Sequence, residues 1–144
     1  MRDRPSGADL LAIARETFVR EVLPTLGADR RLTGLMIANA MAIVGRELEV
    51  GETPQRRELA ALAAFYSEPD GVSDGETIDA ALGRLNRRLA DDLRRGAFRG
   101  DPERQRKAYD ILAETARANV AISNPKYLSD PNVASSGPES GRRF

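Results

Sequence analysis

An amide, a guanidinium and a carboxylate fall at helical spacing in the second quarter of the chain: Asn39, then Arg46 two turns on, with Glu47 beside it. Asn39 lies between Leu35, Met36 and Ile43. That spacing predicts a polar side chain among apolar ones, and a buried amide needs hydrogen-bond partners. Two roles fit. In one, Asn39 orients a ligand while Arg46 and Glu47 close one end of a polar pocket. In the other, Asn39 makes an interhelical hydrogen bond that fixes register, and Arg46 and Glu47 form surface ion pairs.

The second chemical feature is a basic run. From Arg84 to Lys107 there are nine basic side chains against four acidic ones, a local surplus of five in a chain whose 22 basic and 22 acidic groups otherwise cancel. Twenty of the basic residues are arginine, whose planar fork suits carboxylates and phosphates. Arg84, Arg87, Arg88 and Arg95 are the candidates for meeting an acidic protein or an anionic ligand, and a merely solubilising face is the competing reading. Zero net charge and few interleaved aromatics argue against a nucleic-acid partner.

The absences exclude whole classes of chemistry. There is no His, Cys or Trp, hence no His-based triad, no thiolate nucleophile, no disulfide and no zinc site with nitrogen or sulfur ligands. The helical di-iron pattern requires Glu-x-x-His and is equally unavailable. Gly71 to Gly75 has no preceding strand and no following Gly-Lys-Ser/Thr, so it is not a phosphate loop. Neither catalytic residue, metal nor cofactor is expected, and the chain reads as a binding protein rather than an enzyme.

These side chains are positioned by helices. Ser6 with Asp9 predicts an N-cap for a first helix, which Pro24 kinks or stops near Leu23. A second helix over 30–50 carries two apolar stripes, Leu32, Leu35, Met36 and Ile43 on one side, Ile37, Met41, Val44 and Leu48 on the other. This predicts a central helix. Thr53-Pro54 opens a third, ended by Pro69-Asp70-Gly71. Ser73-Asp74-Gly75-Glu76 matches a capping box for a fourth, whose stripe is Ile78, Leu82, Leu85, Leu89 and Leu93, with Gly96 as its C-terminal cap. Asp101-Pro102-Glu103 opens a fifth, closed by Asn124-Pro125. The expected architecture is all-α: one bundle of about five helices over 1–128, with a disordered or partner-dependent tail over 129–144. The first apolar run is too short for a signal peptide, and Leu35 to Val44 is about half the roughly 20 residues a membrane span needs. A cytoplasmic protein is therefore expected, and self-association into a homodimer suits such a bundle.

Arg4-Pro5, Glu21-Val22-Leu23-Pro24, the run Ala38-Asn39-Ala40-Met41-Ala42-Ile43-Val44 leading to Arg46-Glu47-Leu48-Glu49, and Asn124-Pro125-Lys126-Tyr127-Leu128 together resemble a family of small bacterial all-helical proteins of unknown function. The resemblance covers about residues 2 to 128. Members of that family are often encoded beside acyl-CoA dehydrogenases and aminoglycoside-phosphotransferase-like kinases. What the resemblance implies is an accessory protein for one of those enzymes. The alternative is a protein that binds acyl-CoA or another phosphate-bearing small molecule.

Overall fold

The computed structural model describes residues 5–68 and 71–129. Among them every regular element is helical, as the hydrophobic periodicity requires. Where that periodicity pools the helices of 1–128 in one bundle, backbone contacts divide the chain into two units, Met1–Gly51 and Glu52–Phe144. Beyond residue 129 the expected tail lies outside the described residues.

The first unit is an antiparallel helical hairpin. Helix α1 spans Gly7–Thr17. Its predicted start is present as a reciprocal capping box: the Asp9 N–H donates to Ser6 Oγ at 3.2 Å, and the Ser6 N–H donates to Asp9 Oδ2 at 2.9 Å. The chain leaves α1 through one π-helical turn, Phe18–Val22, and a 3-10 turn, Leu23–Thr25. This is the kink that Pro24, lacking an N–H, imposes. Helix α2 then runs over Ala28–Val50. Its Gly34 is needed for closeness, because a Cβ there would come within 2.7 Å of Leu23 Cδ1 and Leu26 Cδ1. Arg15 Nε donates to the Ala38 carbonyl at 3.0 Å, tying α1 across α2.

The expectation that α2 is a buried, central helix is corrected. Only Gly34 and Ala38 are buried on it, while Leu32 is 69% and Met36 64% exposed. One neighbour, α1, meets one face of α2, and it does so over small residues. Most of the two apolar stripes flanks that contact, with Met41 and Ile43 partly buried at its edges.

The second unit has a conventional core. Helix α3 spans Thr53–Tyr66, α4 Ile78–Arg95, α5 Pro102–Ser123, and a one-turn α6 Pro125–Leu128. Leu59, Leu62, Tyr66, Ala81, Leu82, Leu85, Leu89, Phe98 and Ala108 form one buried cluster, with Ile78, Leu93 and Ile111 packed against it. The fourth-helix stripe read from the sequence is thus the spine of this core. Gly96 ends α4 at φ 68, and the Ala97 N–H returns to the Asp92 carbonyl at 2.9 Å, the Schellman arrangement expected of a glycine stop. The start differs from the expected box. Thr77 is the N-cap and accepts from the Ala80 N–H, while Glu76 Oε2 accepts from the Ser73 N–H one turn earlier, in the loop. Tyr127 and Leu128 are 53% and 42% exposed.

Candidate functional site

The seven residues singled out from the sequence fall into both units. In the first, Asn39 is exposed on α2, so the buried amide expected from its neighbours is absent: its side chain shares the outer stripe with Leu32, Leu35 and Met36. Glu47 is also exposed, and Arg46 is partly buried. Arg46 lines an open groove of about 610 Å³ between α1 and α2, with Arg15, Glu16, Arg20, Met41 and Glu49. Asn39 and Glu47 do not line it, so the polar pocket imagined for all three is not assembled. Arg20 is itself paired with Glu16 at 3.5 Å and with Glu21 at 3.0 Å.

In the second unit the arginine flank meets carboxylates of its own chain. Helix α3 ends with Ser67 at φ 57, a left-handed conformation rare for a residue with a Cβ, and the Glu68 N–H returns to the Ala63 carbonyl. Glu68 stands just past this turn. Its Oε2 accepts from Arg84 Nη1 at 2.9 Å and its Oε1 from Arg88 Nη1 at 2.8 Å. Arg84 also donates to Glu76 from Nε and Nη2, each at 3.2 Å, and to the Gly71 carbonyl at 3.0 Å. One guanidinium thus ties α3, the following loop and α4 together, using the multi-donor geometry lysine lacks. The Arg88 guanidinium sits 4.0 Å over the Tyr66 ring. Tyr66 donates its hydroxyl to Asp92 Oδ2 at 2.9 Å, and Asp92 Oδ1 accepts from Arg95 Nη2 at 2.8 Å.

The electrostatics follow from these contacts. Burial, then the bond to Asp92, pushes the Tyr66 hydroxyl up to about 12. The Tyr66 bond, helped by Arg95, holds Asp92 below the ordinary carboxylate range, and Arg84 does the same for Glu76. Glu76 and then Glu68 hold Arg84 above its usual value. Each shift favours the protonation state already present at neutral pH. Among the described residues, no group of three or more His, Cys, Asp or Glu side chains could hold a metal ion, and no helix is long and apolar enough to cross a membrane.

Sequence reasoning found the arginines but missed their partners. Glu68, Glu76 and Asp92 are distant from one another in sequence. The local signal is the i, i+3 spacing of Asp92 and Arg95 on α4; Glu68 and Glu76 lie outside that helix.

The family model described as Domain of unknown function (DUF6285) matches residues 24–127. The chain belongs to that family. The match begins at Pro24, in the 3-10 turn, and runs through α2, α3, α4 and α5 to Tyr127 in α6. It covers much of the span over which the resemblance was read. No curated protein and no solved structure matches the chain.

Proposed function

We propose that this protein is a non-catalytic accessory protein that works by binding another protein through α2 of its first unit. The observation that carries this reading is where the apolar surface lies. Of the fifteen large hydrophobic side chains exposed among the described residues, eleven belong to Met1–Gly51. Contiguous apolar surface rimmed by polar groups marks interaction sites. On α2, Leu32, Leu35, Met36 and Asn39 recur at i, i+3, i+4 and i+7, the pattern by which an amphipathic helix anchors to a partner. The arginine flank is the weaker candidate, since Arg84, Arg88 and Arg95 already have carboxylate partners. The partner class, an acyl-CoA dehydrogenase or a phosphotransferase-like kinase, and with it a cytoplasmic setting, comes from the family resemblance. Mixing the purified chain with enzymes of both classes from the same cell tests the assignment by gel filtration. A complex with one class, lost in a Leu32→Asp/Met36→Asp variant, is expected. Failure of both classes to bind would refute it.

A second reading is favoured by the groove between α1 and α2, lined by Arg15, Arg20 and Arg46: a phosphate-bearing ligand such as an acyl-CoA would compete there with the Glu16 and Glu21 partners of Arg20. A ligand at a hundred times its Kd stabilises by about 2.7 kcal/mol. A thermal-shift screen with CoA esters that moved the melting temperature would support this reading, and a flat response would remove it.

A further inference from the structure

Helix α2 has a second exposed stripe, and its charges say what covers it. Arg30, Thr33, Ile37, Ala40, Val44 and Glu47 follow one another at spacings of 3, 4, 3, 4 and 3, the repeat of a coiled-coil seam. All six are exposed. Ile37 is 43% and Val44 45% exposed. At 100° per residue this seam is centred about 110° from Gly34 and Ala38, which α1 covers, and about 90° from Leu32 and Met36, with Met36 one turn from Ala40 at its border. The antiparallel course of α1 places its exposed Leu10 and Ile13 along the same side of the hairpin. The middle of the seam is uncharged and small, with Ala40 allowing close approach. Its ends carry opposite charges, Arg30 at the N-terminal end, in an exposed 3.7 Å pair with Asp29, and Glu47 at the C-terminal end.

We infer that this stripe is a self-association surface on which α2 of a second copy packs antiparallel, so that two hairpins form a four-helix bundle. The direction follows from charge. A parallel pair would stack Arg30 on Arg30 and Glu47 on Glu47. An antiparallel pair brings Arg30 of each copy to Glu47 of the other and, in the same register, sets Thr33 opposite Val44 and Ile37 opposite Ala40. The interface is isologous, as a twofold dimer requires, and the macrodipoles of the two helices oppose. This self-association does not rest on the partner-enzyme reading: its stripe adjoins the Leu32 and Met36 stripe, but it is measured on the protein alone.

The absence of cysteine makes the register directly readable. Thr33→Cys and Val44→Cys each replace an exposed residue. An antiparallel pair separates Thr33 from its own counterpart by about 16 Å along the axis, at 1.5 Å per residue. That is beyond the roughly 7 Å Cα limit for a disulfide. Oxidising a mixture of the two full-length variants is expected to give a crosslinked dimer containing one of each, while either variant alone gives little. Sedimentation equilibrium supplies the second arm. The wild-type chain is expected to show a concentration-dependent monomer–dimer equilibrium that Ile37→Asp/Val44→Asp abolishes. Arg30→Glu is expected to weaken it by about tenfold, and Arg30→Glu/Glu47→Arg to restore it. A monomer mass up to about 1 mM, or crosslinking of Thr33→Cys to itself as readily as to Val44→Cys, would overturn the inference.

Discussion

The two units solve opposite problems with similar helices. In Glu52–Phe144, α4 turns its leucine stripe inward, Arg84, Arg88 and Arg95 are paired with Glu68, Glu76 and Asp92, and these polar groups cluster around Tyr66. In Met1–Gly51, α2 turns inward only Gly34 and Ala38 and leaves two stripes of large apolar side chains outside. The difference teaches where stability and function reside. On the proposed reading, the unit that uses its hydrophobic and ionic groups internally serves as scaffold, and the one that leaves its apolar groups outside keeps them for association.

That contrast can be broken most strongly in the core. Leu85→Ala, at a side chain with no exposed surface, is expected to cost about 2–5 kcal/mol, whereas Met36→Ala on the outer stripe should cost under about 0.5 kcal/mol in the monomer. Urea denaturation measures both, and similar losses would erase the distinction. Arg84→Ala should lower the midpoint more than Arg94→Ala, because Arg84 bridges Glu68, Glu76 and Gly71 while Arg94 has a single exposed pair with Asp91. Tyr66→Phe removes the bond to Asp92 and should cost about 1 kcal/mol.

The same network sets a pH dependence whose sign is fixed. Asp92 and Glu76 sit below their ordinary values of 3.8 and 4.5. Their contribution is therefore present above those values and is lost as pH falls through the lower folded ones. Tyr66, raised from 10.0 to about 12, contributes fully below 10 and loses that contribution as pH rises from 10 toward 12. Tyr66→Phe should flatten the alkaline limb and, because the Tyr66 bond is the main cause of the lowered Asp92 value, should also shrink the acid limb. A smaller effect of opposite sign is expected at Ser67, held at φ 57: Ser67→Gly relieves the left-handed strain and should stabilise by about 1 kcal/mol.

Much of the fold was legible because it is written locally. Ser6 with Asp9, Pro24, Gly96 and Asp101 each act within one turn, and each does in the structure what its residue type dictates. The leucine stripe of α4 was legible because one broad face was apolar. What failed was the inference from two-sided apolarity to burial: α2 looks like a core helix, yet its neighbour occupies only the small-residue side, and Asn39 went outward with the stripe around it. Periodicity shows which residues share a face. It does not show whether this chain supplies the surface that covers it. On the arginine flank, Glu68 is brought to Arg88 by the turn after α3, at a sequence separation no local pattern reveals, whereas Asp92 reaches Arg95 at the i, i+3 spacing within α4.

The account stands on the claim that the outside of α2, and not the arginine flank of α4, is the binding surface. The direct measurement compares two full-length variants in titrations against the enzyme that forms the complex. Leu32→Asp/Met36→Asp is expected to weaken binding by about a hundredfold, while Arg87→Ala/Arg88→Ala/Arg95→Ala stays within about threefold of wild type. The reverse order, with the arginine variant losing the complex and the α2 variant retaining it, would contradict the account.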